Sequence, residues 1–355
     1  MKPEIAVAIS GGVDSLMAAY LLKEQGNRVI GIHFLTGFEA TSNQSDSNQS
    51  QAHHRIHAIG SQLEIPIKLF DCRKEFKEQV VDYFTQTYLA GQTPNPCIRC
   101  NPTIKFGALL AYARQLGAEY LATGHYARVE QDESGIFRLF KAIDAQKDQS
   151  YFLARLSQVQ LASARFPLGR MTKSAVKELA EQKGLHPVTS GESQDVCFIK
   201  DNNYGAFLSQ QKGFTSEPGL IEDLDGNIIG KHDGLHRFTV GQRRGINCPA
   251  PQAYYVVKLD KSRNRLIVGS KEDLLSRECN VIDINYIHAK PTSPTDILIR
   301  VRYRHKEVPA VLMPTDEKTA KVRFDSPQAA VTPGQGAVFY KGDEILGGGW
   351  IALGD

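Results

Sequence analysis

The sequence predicts an α/β protein: an N-terminal doubly wound parallel sheet, followed by a small central domain and a C-terminal β-barrel. Three observations predict it. The first two hundred residues alternate short apolar runs with helical patterns, which calls for a parallel sheet with helices on both faces. Beyond about residue 200, helical periodicity fades and short β-rich runs separated by Gly, Pro, Asn and Asp take over. The opening run IAVAISGGVDSLMAAYLL (5–22) breaks on two glycines and turns at once into a helix, a strand–turn–helix unit of the kind found at the edge of such sheets.

In order, Ile5–Ile9 reads as the first strand, Leu16–Gln25 as its helix and Arg28–Phe34 as the second strand. The polar, low-complexity TGFEATSNQSDSNQSQ (36–51) reads as a mobile loop. His54–Leu63 reads as a helix, Ile67–Asp71 as a strand and Phe76–Leu89 as a helix. In TPNPCIRCNP, Pro94, Pro96 and Pro102 argue against a regular helix and for a rigid loop. A helix over Phe106–Leu116 and a strand over Glu119–Ala122 follow. The later runs YYVVKLD, RLIVGS, DILIRVRYR, AVLMP, KVRFD and GAVFY supply the β-rich half. Composition shifts place the domains at 1–205, 206–275 and 276–355.

Hydrophobic residues at 41% and charged residues at 23% are ordinary for a globular chain of 355 residues. A net charge of only +3 means that a nucleic-acid partner would be met by a local basic patch. No apolar stretch approaches the ~18 residues of a membrane span, and IAVAI runs into glycines and an aspartate rather than continuing as a secretory signal. Together these features point to the cytoplasm. There the six cysteines do not suggest a disulfide framework, and the Cys97–Cys100 pair suggests metal, cluster or redox chemistry instead.

The stretch Ala8-Ile9-Ser10-Gly11-Gly12-Val13-Asp14-Ser15 has the makings of an anion nest. Amides at a helix start lack intrahelical acceptors, and the helix dipole is positive there. Gly11 and Gly12 let a phosphate approach the backbone, Ser10 and Ser15 add hydroxyls, and Asp14 makes sense beside phosphates if it holds Mg²⁺. The stretch lacks the Lys-Ser/Thr of a Walker loop and the third glycine of a dinucleotide fingerprint. The bland alternative is a glycine turn between strand and helix.

Cys97 and Cys100 lie three apart, with Arg99 between them and Lys105 downstream, and nearby positive charge would favour the thiolate. A structural zinc half-site is the competing reading, but no second ligand pair follows at finger spacing. Cys197 in GESQDVCFIK could face the pair if loops at one sheet edge meet. Cys72, Cys248 and Cys279 read as small apolar filler. His53, His54 and His57 read as a solvated helix face, with metal binding at helical spacing as the alternative. In RVRYRH (300–305), strand alternation would put Arg300, Arg302 and Arg304 on one face, either solvated or tracking phosphates.

These motifs, with LATGHYARV, KDQSYFLARL, GLHRFTVGQRRGI, VRYR, VTPGQGAVFY and ILGGGWI, run along nearly the whole chain. In that order they resemble the bacterial tRNA-specific 2-thiouridylase family of ATP pyrophosphatases (PP-loop enzymes). The resemblance implies an adenine-nucleotide α-hydrolase-like first domain and a barrel that contacts tRNA. It implies adenylation of the C2 oxygen of a wobble uridine by ATP, then displacement of AMP by sulfur. Carried over by motif, Cys100 is the nucleophile and Cys197 the persulfide carrier, and the two end as a disulfide that must be reduced. Ala8 to Ser15, Phe34 and Gly124 fall at the nucleotide. Asn95, Pro96, His125, Lys147, Asp148, Gln149, Tyr303, Arg304 and Gln335 fall at the tRNA.

By itself His125 would read as a core histidine, and 147–149 as a solvated loop. Cys97 stands where many members have an acidic residue. It completes a trio with Cys100 and Cys197 that suits a [4Fe–4S] cluster, so the persulfide and cluster routes are both open. Expected partners are tRNAs of the Lys, Glu and Gln type and a cysteine desulfurase or sulfur relay protein. The rivals are an argininosuccinate synthetase-like or GMP synthetase-like ligase, and a non-catalytic RNA-binding Fe–S protein.

Overall fold

The computed structural model describes residues 4–38, 56–188, 196–199, 203–249 and 252–353. The chain divides into two compact units, described separately. The first comprises Met1–Val80, Cys97–Phe198 and Asp343–Leu346, and the second Val81–Pro96, Ile199–Gly342 and Gly347–Asp355.

In the first unit, β1 (Glu4–Ala8) is followed by α1 (Val13–Glu24), β2 (Arg28–Leu35), α2 (56–63), β3 (Ile67–Asp71) and α3 (Arg73–Phe76). A π-helical stretch Lys77–Val81 leads into α4 (Asp82–Leu89), which belongs to the second unit. The chain returns in α5 (Pro96–Cys100), a π-helix Asn101–Leu109 and α6 (Leu110–Gln115). Next come β4 (Tyr120–Ala122), the hairpin β5 (Ala127–Gln131) and β6 (Phe137–Lys141), α7 (Gln158–Ser163), β7 (Ala164–Arg165) and α8 (Lys173–Gln182).

The sheet order is β3-β2-β1-β4-β7, and its β1–β2, β1–β4, β2–β3 and β4–β7 pairs are parallel, as the alternation predicts. Strand order reverses about β1, so a crevice opens beyond its carboxyl end, where ligands bind in sheets of this class. Alternate residues Ile5, Val7 and Ile9 bury against Leu16, Met17, Ala19 and Leu22 of α1. Glu344 and Ile345 add to β6.

The second unit contains α9 (Tyr204–Ser209), whose Tyr204 and Phe207 pack on Phe84 of α4. A four-stranded sheet has the order β10-β11-β8-β9, formed by β8 (Gly219–Glu222), β9 (Ile228–His232), β10 (Tyr255–Asp260) and β11 (Arg265–Gly269). It closes on its own core of Ile221, Leu235, Phe238, Val256, Leu266 and Val268. The remaining strands are β12 (Leu275–Tyr286), β13 (Thr295–Arg300), β14 (Val308–Pro314), β15 (Ala320–Ala329), β16 (Gly336–Lys341) and β17 (Glu344–Ile351). They run β12-β15-β14-β13-β16-β17, and the β12–β17 pairing closes a barrel. A closed barrel has no open sheet edge.

Two local expectations are corrected. The proline-rich segment is helical rather than a loop. Pro96 opens α5 at a position where its missing N–H costs nothing, and a π-helix carrying Pro102 follows. The strand β13 ends at Arg300, and residues 301–305 form turns, so the three arginines do not share a strand face. Arg300 bonds Glu307 at 2.6 Å and lies over the Tyr340 ring. Arg302 donates to the Val240 carbonyl and the Thr332 hydroxyl. Arg300 braces the barrel itself, and Arg302 ties it to Val240, which packs on the core of the four-stranded sheet. Most of the polar segment 36–51, with His53 and His54, lies outside the described residues.

Candidate active site

The glycine turn after β1 forms a compact nest. Gly11 adopts φ +86°, a left-handed conformation that favours glycine, and Gly12 caps α1 in extended geometry. The Ser15 hydroxyl donates to the Gly12 carbonyl at 2.9 Å and accepts from the Ser10 amide and hydroxyl at 3.2 Å each. These bonds hold the turn closed, with the first-turn amides of Val13 and Asp14 at the positive end of α1. From beyond α8, the Val188 amide donates to the Gly11 carbonyl at 2.9 Å. Phe34 lies half-buried near the carboxyl end of β2.

Asp14 differs from its expected role as an open magnesium ligand. Lys173 Nζ lies 2.7 Å from both carboxylate oxygens, and the Tyr126 hydroxyl donates to Oδ1 at 2.8 Å. A metal ion would have to displace that ammonium, so the carboxylate as found does not fit one. Lys173 carries no motif signal of its own, and Tyr126 stands out only as part of LATGHYARV. Their role comes from packing.

The thiols are organised by the helices after Pro96. Cys97 and Cys100, i and i+3 on α5, fall on one side of the helix, and both are half-buried. Arg99, between them in sequence, turns away to the Gln79 side chain at 3.0 Å. The π-helix is secured from outside. Gln160 Nε2 donates to the Pro102 and Phe106 carbonyls at 2.7 and 3.0 Å, and Asn101 Nδ2 donates to the Phe152 carbonyl at 3.0 Å.

Burial, with a smaller contribution from Cys197, pushes the Cys97 thiol up to about 12. Burial also drives the Cys100 thiol far above its ordinary value. Lys105 opposes the shift at both positions, while Cys197, Cys97 and Cys72 reinforce it at Cys100. Cys197 is exposed on the short segment 196–199. Its neighbour Phe198 packs on Phe38 and Phe76, with ring centroids 5.7 Å apart in each pair. The structure thus brings all three expected thiols into electrostatic reach of one another. Among the described residues, however, no three His, Cys, Asp or Glu side chains form a group able to hold a metal ion. The thiol trio therefore does not fit a cluster as it stands.

The four residues after β4 join nest and thiols. Gly124 lies so close to Asp14 that an added Cβ would fall 2.8 Å from its carbonyl carbon. His125 is buried; its Nε2 faces Lys105 Nζ at 3.2 Å, and its Nδ1 faces the Thr123 hydroxyl at 2.7 Å. Burial, reinforced by the Lys105 charge, holds the imidazole neutral well below its usual pKa. Tyr126 reaches Asp14. Gln149 exchanges bonds with the Tyr126 backbone, its amide N–H to the carbonyl at 2.9 Å and its side-chain oxygen from the N–H at 3.1 Å. Gln149 is therefore bound to the backbone of the residue that follows His125. Asp148 is buried and accepts from the Ala142 amide and from the Ser150 amide and hydroxyl, so it shapes this loop. Lys147 is two residues away.

In the second unit, Tyr303 and Arg304 occupy the 301–305 turns. Gln335 donates to the Thr93 and Pro94 carbonyls at 3.1 and 2.9 Å, bracing the approach to Asn95 and Pro96.

Residues 3–201 match the family model described as the tRNA methyl transferase HUP domain. Residues 206–270 match the tRNA methyl transferase PRC-barrel domain, and 276–351 the aminomethyltransferase beta-barrel domain. The chain is 52% identical over 350 residues to the tRNA-specific 2-thiouridylase MnmA of Desulfosudis oleivorans, covering 99% of this chain and 95% of that protein. It is 44% identical to the proteins of the same name from Geotalea uraniireducens and Geobacter metallireducens. Each alignment covers 99% of this chain, with 95% and 97% of the respective relative. No helix among the described residues is long and apolar enough to cross a membrane.

Proposed function

The chain belongs to the tRNA-specific 2-thiouridylase family, and from that premise we propose how its own residues divide the work. The enzyme is an ATP-dependent sulfurtransferase that replaces an oxygen of tRNA uridine with sulfur. One observation carries the assignment of roles. The segment Thr123–Tyr126 touches the phosphate nest through Gly124 and Tyr126 and the thiol-facing Lys105 through His125.

In this reading the triphosphate of ATP lies on Ala8–Ser15, with the base toward Phe34. The C2 oxygen of a wobble uridine attacks the α-phosphorus. The bond to the α–β bridging oxygen breaks, pyrophosphate departs, and N3 gives up its proton. The terminal sulfur of a Cys197 persulfide then attacks C2 and expels AMP together with the oxygen. The Cys100 thiolate attacks Cys197 Sγ, and the sulfur left on C2 becomes 2-thiouridine as N3 regains a proton. The transferred sulfur gains two electrons, and Cys100 and Cys197 lose them as a disulfide, which an external dithiol reduces. No step runs through a metal ion or an iron–sulfur cluster.

His125, Lys147 and Gln149 are assigned to the tRNA with Asn95, Pro96, Tyr303, Arg304 and Gln335, and Asp148 acts by shaping their loop. Residues 1–205 carry the chemistry, 206–275 form the central domain, and 276–355 form the tRNA-contacting barrel. The substrates are tRNAs of the Lys, Glu and Gln type, the sulfur comes from a cysteine desulfurase or relay protein, and the setting is the cytoplasm. Methyl transfer to tRNA is the alternative reading. Paired thiols beside a phosphate nest favour sulfur transfer.

The test is nucleoside mass spectrometry of tRNA treated with Cys100→Ser and Cys197→Ser. Each variant should lose 2-thiouridine while keeping its thermal midpoint. Normal 2-thiouridine in either variant, or a methyl gain in place of sulfur-for-oxygen exchange, would remove the proposal. Anaerobically purified protein should be colourless, and Cys97→Ala should still thiolate. A cluster absorption that disappears with Cys97 would refute the persulfide route.

A further inference from the structure

We propose that Lys173 is a cation held in reserve on Asp14 for the triphosphate. When ATP occupies the loop, the ammonium passes from the Asp14 carboxylate to the β- or γ-phosphate oxygens. There it balances the charge that collects on pyrophosphate as the bond to the α-phosphorus breaks. No proton is transferred in this exchange, and only hydrogen bonds change partner. The inference rests on the reading of residues 8–15 as the ATP nest.

Lys173 stands where neither folding nor helix stability calls for an ammonium. It is only 8% exposed while its partner Asp14 is half-buried, so the ammonium gives up most of its water for one carboxylate, an exchange that generally stabilises a fold no more than apolar packing of the same size. It is also the first residue of α8, the end at which a helix dipole disfavours a cation. The start of α8 is secured without the side chain. The Thr172 hydroxyl accepts from the Ala175 amide at 3.2 Å, and the Lys173 amide donates to Asp144 Oδ2 at 2.8 Å.

What the ammonium reaches is the phosphate nest. Asp14 is the second residue of α1, where bound phosphates would repel it. If Lys173 leaves, Asp14 keeps the Tyr126 hydroxyl and the positive end of α1. Residues flanking α8 on both sides hold the nest, Lys173 at its start and Val188 beyond its end, so the ammonium and the loop share one frame.

The experiment is calorimetry on the full chain with ATP, inorganic pyrophosphate and AMP, alongside tRNA-dependent pyrophosphate release. In Lys173→Met, affinity for ATP and pyrophosphate should each fall about tenfold or more, while AMP stays within about twofold. Pyrophosphate release should fall on the order of a hundredfold, with part of it recovered in Lys173→Arg. If the Met variant does not fold, Lys173→Gln, which can still donate to Asp14, takes the same comparison. Unchanged pyrophosphate affinity, or AMP affinity falling in step with ATP, would overturn the proposal. Failure of the unmodified protein to bind ATP or pyrophosphate would instead sink the reading of the nest.

Discussion

Replacing Gly124 with alanine should impair ATP use through the position of Asp14. The new Cβ would stand 2.8 Å from the Asp14 carbonyl carbon and 3.0 Å from both its Cβ and its carbonyl oxygen. Ordinary carbon contacts begin near 3.4 Å, so roughly half an ångström must be found. Two of the three atoms are backbone and cannot rotate aside. Crowding of this kind costs about 1–3 kcal/mol. If the start of α1 yields half of what a 1 Å misplacement yields, kcat/KM for ATP falls roughly tenfold.

Gly169→Ala is the control. Its Cβ would overlap the Ala127 carbonyl on β5, so it should cost stability and leave the folded fraction's KM for ATP unchanged. The assays are thermal unfolding and tRNA-dependent pyrophosphate release. A Gly124→Ala enzyme with unmodified stability and kcat/KM would refute the contact, and an equal KM effect in both variants would refute its link to the nucleotide.

Lys105→Met should make Cys97 and Cys100 less reactive, because the charge that opposes their burial is lost. Alkylation rates against pH, read by peptide mass spectrometry, should shift to higher pH, with at least about a threefold lower rate at pH 8. An unshifted profile would exclude Lys105 from thiol activation. His125 is held neutral in the fold, whereas the unfolded chain binds a proton there below its ordinary pKa. Its stability contribution is therefore present above about pH 6.5 and is lost progressively as pH falls below it. His125→Gln should flatten the fall in thermal midpoint between pH 7 and pH 5, and a parallel slope would show that other groups cause it.

The nest was legible because its determinants are neighbours in sequence. A strand end, a glycine free to take positive φ and two serines five residues apart, bonded to each other across the turn, specify a local conformation almost without outside help. The parallel sheet was legible from alternation, whereas the helix that carries Cys97 and Cys100 was not, because Pro96 and Pro102 argue against a helix and Pro96 in fact opens one. Arg99 illustrates what was hidden. It lies between the two cysteines, yet residues two apart on a helix face different ways, and the charge that acts on the thiols is Lys105.

By itself the sequence determined the glycine turn between the first strand and helix and the strand–helix alternation, both features of short range. Only tertiary structure decided that Lys173, 159 residues away, would neutralise Asp14, that Thr123–Tyr126 would join nest to thiols, and that β12 would close on β17. Backbone conformation follows from adjacent residues. Which charges and strand edges meet depends on how whole helices and strands pack, and no local pattern encodes that.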